Sequence, residues 1–497
     1  MKGKLWAGFF ALLAGSLAVT GFAPYHVWPA PLLSLSILGL LWHGCHHGRS
    51  AGWIGWFWGL GFFGAGIHWI EISLHEFGGM PLSLAYLLIF LFSACLALFP
   101  ALVGRWSWRF HDRPTSRWLL VTPALWTLSE WVRSWFLSGF PWLSLGYAAT
   151  PKGPLAGFTP LLGVFGASAA TVLGAGLLTL ALLSLRHHRS SLVSLLALGI
   201  LLASGLALQR LPWVHPLGQP IAVNLLQGNI PQDMKFVAES RGLIVQRYNT
   251  LLFNSTGRLI LLPESALPYL RQRMPEGYSE ALETFGYENN SDILVGLFSE
   301  PERGQYYNSV FSFGHSPMQA YHKVHLVPFG EFIPWSDLLA PLIHSVLNIP
   351  LDDQQRGNPN QPPLRVGGQW VGVDICYEDA FGDEIRQALP QATLLANFTN
   401  DAWFGSSIGP EQHLQMAQTR ALETGRPMLR VTNTGVTALI GAHGEILERA
   451  PRGEIFNLGG NISGYGGVTP FVLVGNYGIL ALCALALILS LRWRPLR

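Results

Sequence analysis

Charge is scarce in this chain. Only 12% of its 497 residues are Asp, Glu, Lys or Arg, and the 31 basic and 29 acidic side chains leave a formal net charge of +2. So even a balance offers no basic field to gather polyanions, and nothing suggests nucleic-acid binding. Cysteine is scarcer still: Cys45, Cys95, Cys376 and Cys483. Three of these lie in or beside apolar runs. Cys376 alone falls in the long polar region, so that region holds no internal disulfide. If it faces an oxidising compartment, an unpaired thiol there is better explained by reactivity than by stapling. Two apparent motifs lack their context. Gly59-Leu60-Gly61-Phe62-Phe63-Gly64 fits G-x-G-x-x-G but lies inside an apolar run with no preceding strand, so a dinucleotide site is excluded. His43, Cys45, His46 and His47 lack a second ligand pair at zinc spacing and read as a polar turn.

What is abundant is apolar surface. Half the residues are hydrophobic and 19 are Trp, a membrane-protein composition. Eight runs approach the ~20 residues a helix needs to cross the hydrocarbon core: 5–22, 28–44, 51–70, 81–104, 118–136, 161–185, 191–209 and, far downstream, 471–491. The 5–22 run follows Lys2 and Lys4 as a signal peptide would, but no small-x-small site ends it, so it is read as an uncleaved span. The 118–136 run carries Glu130 and Arg133. These are either a functional pair or a pair snorkelling at the interface. Gly166, Ala170 and Gly174 suggest close helix packing. Basic residues collect on one set of loops and ends (Lys2, Lys4, Arg49, Arg105, Arg109, Arg113, Arg117, Arg186, Arg189, Arg492, Arg494 and Arg497), against Arg133 and Lys152 on the other. The positive-inside rule then predicts cytoplasmic termini and an outer region between the seventh and eighth spans. The expected division is 1–210 as a seven-span membrane domain, 211–470 as an outer domain, and 471–497 as an eighth span with a tail. The stretch 134–160 is aromatic and broken by Gly and Pro, and reads as an interfacial loop.

The outer region changes character. Candidate strands are 221–226, 259–262, 293–297, 309–313, 319–322, 370–375, 394–397, 429–432 and 437–440. Candidate helices fall at 240–253, 276–286, 379–388 and 411–424. Alternation over about 250 residues is the pattern of one α/β domain. The apolar segment 335–350 interrupts it. Beside a bilayer it reads as a lid or lipid-touching arm, and a buried helix is equally compatible.

Three polar residues follow predicted strands: Glu264 after Leu-Leu-Pro, Lys323 in Tyr-His-Lys-Val-His-Leu, and Cys376 in Asp-Ile-Cys-Tyr-Glu. Singly, each has a bland reading, since strand-end Glu and Lys are usually surface charges and free Cys is usually a small buried hydrophobe. Together they make a nucleophile, a base and a cation. A thiol titrates near ~8.5 and needs help to ionise at neutral pH. A carboxylate can take its proton, and an ammonium can stabilise both the thiolate and the oxyanion formed on attack at a carbonyl.

The strings Leu-Pro-Glu264, His-Lys323 and Asp-Ile-Cys376-Tyr-Glu resemble the Glu–Lys–Cys triad of the nitrilase superfamily. Gln227-Gly228-Asn229-Ile230-Pro231-Gln232, Gly139–Tyr147, Lys323–Glu331 and Asn400-Asp401-Ala402-Trp403-Phe404-Gly405 resemble its membrane branch, the bacterial apolipoprotein N-acyltransferases, over essentially the whole chain. The resemblance implies a multi-span α-helical membrane bundle and an α/β nitrilase-like domain built as an α-β-β-α sandwich. It implies Cys376 as nucleophile, Glu264 as general base and Lys323 as oxyanion stabiliser, with Glu331, Tyr377 and Glu378 supporting the site. Phe236 stands where some members carry Trp in an active-site loop, and Tyr307 and Asn308 precede a strand that such sites use. The backbone N–H of Tyr377 is a candidate oxyanion donor. The implied reaction moves an acyl chain from a phospholipid, usually phosphatidylethanolamine, through a Cys thioester to the N-terminal amine of a diacylglyceryl-cysteine apolipoprotein. The implied setting is the bacterial inner membrane with the catalytic domain in the periplasm, and no metal or organic cofactor is required. The 335–350 segment and the 134–147 loop are candidate walls for a lipid-facing cleft. One alternative is a membrane-tethered nitrilase-type amidase or hydrolase, which would release product without an amine acceptor. The other is a transporter or scaffold, which the complete triad and the near absence of paired intramembrane charges argue against.

Overall fold

The computed structural model describes residues 2–235, 237–334 and 354–492. Phe236 and the apolar segment 335–350 lie outside the described residues. The chain divides into two compact units. One comprises Met1–Glu71, Leu82–Pro212 and Leu473–Arg497; the other comprises Ile72–Pro81 and Trp213–Val472.

The first unit is helical: α1 (Lys2–Ala18), α2 (Pro29–His43), α3 (Gly48–Gly66), α4 (Leu82–Leu96), α5 (Leu98–Ser107), α6 (Thr122–Arg133), α7 (Thr159–Leu183), α8 (His188–Leu208) and a last helix, Tyr477–Arg492. Among the described residues, three helical stretches are long and apolar enough to cross a membrane: Leu82–Phe110, Pro154–Leu183 and His188–Leu208. Leu5–Gly21, Pro29–His43 and Tyr477–Arg492 are shorter apolar helices. Small residues let helices meet at their backbones. A Cβ on Gly15 of α1 would stand 2.0 Å from the carbonyl O of Trp58 in α3, and one on Gly61 would stand 2.1 Å from that of Leu12.

Glu130 and Arg133 do not snorkel, because both are buried. Glu130 Oε1 accepts the Trp126 indole N–H at 3.0 Å and the Leu145 N–H at 2.9 Å. Arg133 donates to the carbonyl O of Trp142 at 2.6 Å and to Ser144 Oγ at 3.3 Å. The pair therefore clamps the aromatic loop after α6, an irregular backbone whose polar groups need partners.

The second unit is a two-sheet sandwich. Its strands are β1 (Val214–Gln227), β2 (Leu259–Leu262), β3 (Asp292–Ser299), β4 (Tyr307–Gly314), β5 (Ala320–His322), β6 (Leu364–Val366), β7 (Gln369–Ile375), β8 (Leu394–Thr399), β9 (Met428–Thr432), β10 (Ala438–Ile440), β11 (Ile446–Arg449) and β12 (Phe456–Gly467). They form sheets ordered β12-β1-β2-β3-β4-β5 and β11-β10-β9-β8-β7-β6. Each sheet has three parallel strands at its centre, β1-β2-β3 and β7-β8-β9, flanked by antiparallel neighbours.

The two-residue period of a strand sorts the side chains. Val223, Leu225, Leu259 and Leu261 face Val371, Ile375, Leu394 and Ala396 in the core between the sheets. Leu226, Ile260 and Leu262 turn the other way, against α9 (Arg241–Phe253) and α10 (Tyr278–Glu288). Leu395, Met428 and Ile440 pack on α11 (Gly409–Thr424). This is the α-β-β-α layering that the resemblance implies. It differs from the strand list read from sequence in three additions, β6, β11 and β12, and in one loss. The expected helix 379–388 is a series of short turns with a helical core of only Gly382–Ile385. A bulge in β1 lets it run from Val214 and pair along its length with the Gly-rich β12. Ile72–Pro81 packs within this unit: Ser73 Oγ donates to the carbonyl O of Trp403 at 2.8 Å, and the Phe77 ring meets Trp403 edge-on at 5.6 Å.

Candidate active site

The site gathers at the C-terminal ends of two central strands, β2 and β7, and of the edge strand β5, where loops leave a rigid sheet. Glu264 stands two residues beyond β2, Lys323 directly after β5, and Cys376 directly after β7. Cys376 itself has φ of +55°, a region that non-glycine residues seldom occupy, so its main chain is strained at the strand-to-turn junction. Ser265, next to Glu264, has φ of +44°.

Lys323 is fully buried. Its Nζ lies 2.6 Å from Glu331 Oε1 and 3.8 Å from Glu264 Oε1. Burial alone would lower the ammonium's pKa, but Glu331 and then Glu264 outweigh it and hold it above its ordinary value. Lys323 is thus a permanent cation. Glu331 is anchored in turn, because its Oε2 accepts the Val327 N–H at 2.8 Å.

Glu264 Oε1 accepts Asn308 Nδ2 at 2.7 Å, and its Oε2 accepts the Asn400 N–H at 2.9 Å. Burial raises its pKa against the opposing pull of Lys323, which makes it a stronger base than a free carboxylate. Burial also pushes the Cys376 thiol well above its ordinary value. The Glu264 carboxylate adds to that push and the Lys323 ammonium opposes it. The resting sulfur is therefore a thiol. For that thiol to act as a nucleophile a base must take its proton, and the Glu264 carboxylate is the foremost charged group acting on it.

Glu378 ties the two halves together. Its Oε1 accepts the N–H groups of Val324 at 2.6 Å and His325 at 3.0 Å, and its Oε2 accepts the Ile375 N–H at 2.7 Å. The Tyr321 hydroxyl reaches both oxygens at 3.1 Å. One carboxylate thus fixes the residue after Lys323 and the residue before Cys376. Burial raises its pKa to about 7 against the pull of Lys323 and these N–H groups. Of the other residues singled out from sequence, Asn308 joins the site through Glu264. Tyr377 packs its ring against His325 and Phe381, and the Tyr307 ring lies tilted against His322 at 5.1 Å. Phe236 lies outside the described residues.

Sequence reasoning missed a buried charged network beside Cys376. His413 of α11 places Nε2 3.1 Å from the carbonyl O of Cys376 and 3.0 Å from Asp379 Oδ1, and its Nδ1 lies 2.8 Å from Asp401 Oδ1. Arg430 bridges Asp379 and Asp401, at 3.1 Å to each. Although burial opposes it, Asp379 and Asp401 raise the His413 pKa to about 9, so the ring is an imidazolium. Lys235, also missed, donates to the carbonyl O of Glu264 at 3.0 Å. The available signal was α11 itself. Gln412, His413, Gln415, Gln418, Arg420 and Glu423 put polar groups all around a helix, which calls for buried partners rather than one solvated face.

Comparison with known proteins places both units. A family model described as the apolipoprotein N-acyltransferase N-terminal domain matches residues 14–177, and one described as carbon-nitrogen hydrolase matches 226–455. The chain is 46% identical over 488 residues to an apolipoprotein N-acyltransferase of Nitrosomonas europaea, covering 97% of each chain. It is 41% identical over 499 residues to one of Ralstonia nicotianae, covering 98% of this chain and 94% of that one. A solved carbon-nitrogen hydrolase from Helicobacter pylori G27 is a distant likeness, with a TM-score of 0.35 at 16% identity over 56% of this chain and 96% of that one.

Proposed function

The chain belongs to the apolipoprotein N-acyltransferase family, and from that premise we propose that it N-acylates apolipoproteins by a two-step transfer through a thioester on Cys376. The Glu264 carboxylate takes the thiol proton as the sulfur attacks an acyl ester of a membrane phospholipid, with phosphatidylethanolamine as the expected donor. The oxyanion is met by the Lys323 ammonium and the Tyr377 N–H. Collapse breaks the ester C–O bond. The leaving lysophospholipid oxygen takes the proton back from Glu264, and the acyl-thioester remains. The α-amine of a diacylglyceryl-cysteine then attacks the thioester and gives its proton to Glu264. The C–S bond breaks, an amide is released, and the proton returns to the sulfur. Dividing one transfer in two predicts ping-pong kinetics. In this reading the eight apolar stretches span the inner membrane, both termini are cytoplasmic, and residues 211–470 face the periplasm.

The observation that carries the reading is the strained Cys376 joined through Glu378 to a buried Glu264–Lys323–Glu331 cluster. That set suits acyl capture on demand. The test is intact-protein mass spectrometry after incubation with phospholipid, with a hydroxylamine wash and a Cys376→Ala control. A hydroxylamine-labile fatty-acyl mass that is absent from the control, and is discharged by a diacylglyceryl-cysteine peptide, supports the transfer. Steady release of free fatty acid or ammonia without an amine acceptor would instead favour the hydrolase alternative.

A further inference from the structure

Lys235 is a buried cation beside the site that the mechanism above does not use. Lys235 is 2% exposed, and its Nζ donates to the carbonyl O of Glu264 at 3.0 Å. A buried ammonium is costly unless it is paired, so its place calls for an account. The loop carrying it is firmly built. Asn433 accepts the Ile230 N–H at 2.9 Å and donates to the Ile230 carbonyl O at 2.8 Å. Gln232 accepts Asn400 Nδ2 at 2.8 Å, and Asn400 is the residue whose N–H holds the Glu264 carboxylate. Arg247 donates to the carbonyls of Gly228 and Asn229 at 3.0 and 3.1 Å. The loop after β1, the loop after β8 and the general base thus form one hydrogen-bonded assembly with Lys235 at its buried end.

We propose that Lys235 is a charge-balancing positioning residue for the acylation step, its ammonium seated on the main chain of Glu264 to offset the negative charge that passes between the Glu264 carboxylate and the Cys376 thiolate. This rests on the reading of Cys376 as nucleophile. The balance is simple. At rest, the carboxylates of Glu264 and Glu331 face the ammoniums of Lys323 and Lys235, and the thiol is neutral. After proton transfer, Glu264 is neutral and the sulfur carries the charge, so the sum is again zero. Without Lys235 the same set carries one net negative charge throughout, and each negative group in it is harder to keep. The charged groups acting on this exchange are Glu264, Glu331, Lys323, Lys235 and, on the sulfur, Asp401. Burial lowers the Lys235 pKa to about 8, against the opposing pull of Glu264 and Cys376, so it is an ammonium at neutral pH.

The test compares full-length parent, Lys235→Met and Lys235→Arg in detergent. It measures single-turnover acyl-adduct formation and iodoacetamide alkylation of Cys376 against pH. Lys235→Met is expected to move the acidic limb of both profiles upward by about one pH unit or more, a roughly tenfold lower rate at fixed pH on that limb. Lys235→Arg keeps the charge and is expected to leave the limb in place. Because arginine does not titrate, the Arg variant is also expected to hold its rate to higher pH than the parent. A Met variant slowed equally at every pH, with an unmoved limb, would overturn the inference and leave Lys235 a structural anchor. If the Met variant does not fold, Lys235→Gln takes its place, and an unmoved acidic limb in that variant overturns the inference equally. Absence of any adduct in the parent would instead refute the thioester reading, so the two failures are distinct.

Discussion

Replacing Glu378 by Gln tests whether one carboxylate keeps cation and nucleophile in register. The side chain keeps its shape, but one acceptor becomes an NH2 donor. With the amide nitrogen at the Oε2 position, it faces the Ile375 N–H. With the amide flipped, it faces the N–H groups of Val324 and His325. Either orientation leaves at least one buried backbone donor without an acceptor, at a cost of about 1–3 kcal/mol. Val324 follows Lys323 and Ile375 precedes Cys376, so the slack falls on both of these residues. If all of that cost reaches the transition state, the acyl-adduct rate drops roughly 5- to 150-fold. The assay is single-turnover adduct formation by mass spectrometry, run beside thermal unfolding in the same detergent. Tyr321→Phe is the control, because it removes one hydroxyl donor and strands no N–H. A Glu378→Gln protein with the parent's melting temperature and adduct rate would refute the reasoning, since no buried donor would then have been lost.

Two further predictions follow from neighbouring geometry. A Cβ on Gly296 would stand 2.3 Å from the carbonyl O of Pro263 and 2.7 Å from Cα of Glu264, so Gly296→Ala must displace the base. We expect a clearly lower melting temperature and, in the protein that remains folded, an adduct rate at least about tenfold lower; an unchanged rate would mean the strand end yields without moving Glu264. His413, raised to about 9 between Asp379 and Asp401 beside Arg430, binds more protons folded than unfolded between about pH 6.5 and 9. Its stabilisation is therefore complete below about pH 6.5 and lost as pH rises through 9. His413→Asn should flatten the fall in melting temperature across that window, and equal slopes in parent and variant would count against an imidazolium.

How much of this was legible in the sequence depended on how local the signal was. Apolar runs of membrane length and short β-branched strands show themselves in consecutive residues, and so did the strand-end positions of Glu264, Lys323 and Cys376. β12 did not, because Gly459, Gly460, Gly464, Gly466 and Gly467 remove the alternation that marks a strand; its order comes from pairing with β1, more than 200 residues away. The charged groups failed for a similar reason. His413 finds Asp379 34 positions upstream and Lys235 finds Glu264 29 positions downstream, and no local spacing reveals such partners. Glu130 and Arg133 were visible as charges in an apolar run, but their partners, Leu145 and Trp142, sit in a loop without periodic pattern. The described residues contain no part of 335–350, so its reading as a lid or arm stays with the sequence.

The ten residues Ile72–Pro81 set how the chain can be cut and recombined. Because they lie between α3 and α4 yet belong to the sandwich, the chain passes between the two units four times, at 71/72, 81/82, 212/213 and 472/473. The structural boundary between the units is therefore not one insertion point in the sequence. A gene fragment encoding 213–472 would omit the strap that meets Trp403, in the loop whose Asn400 and Asp401 hold Glu264 and His413. A chimaera that exchanges the sandwich keeps these contacts only if it exchanges this strap with it.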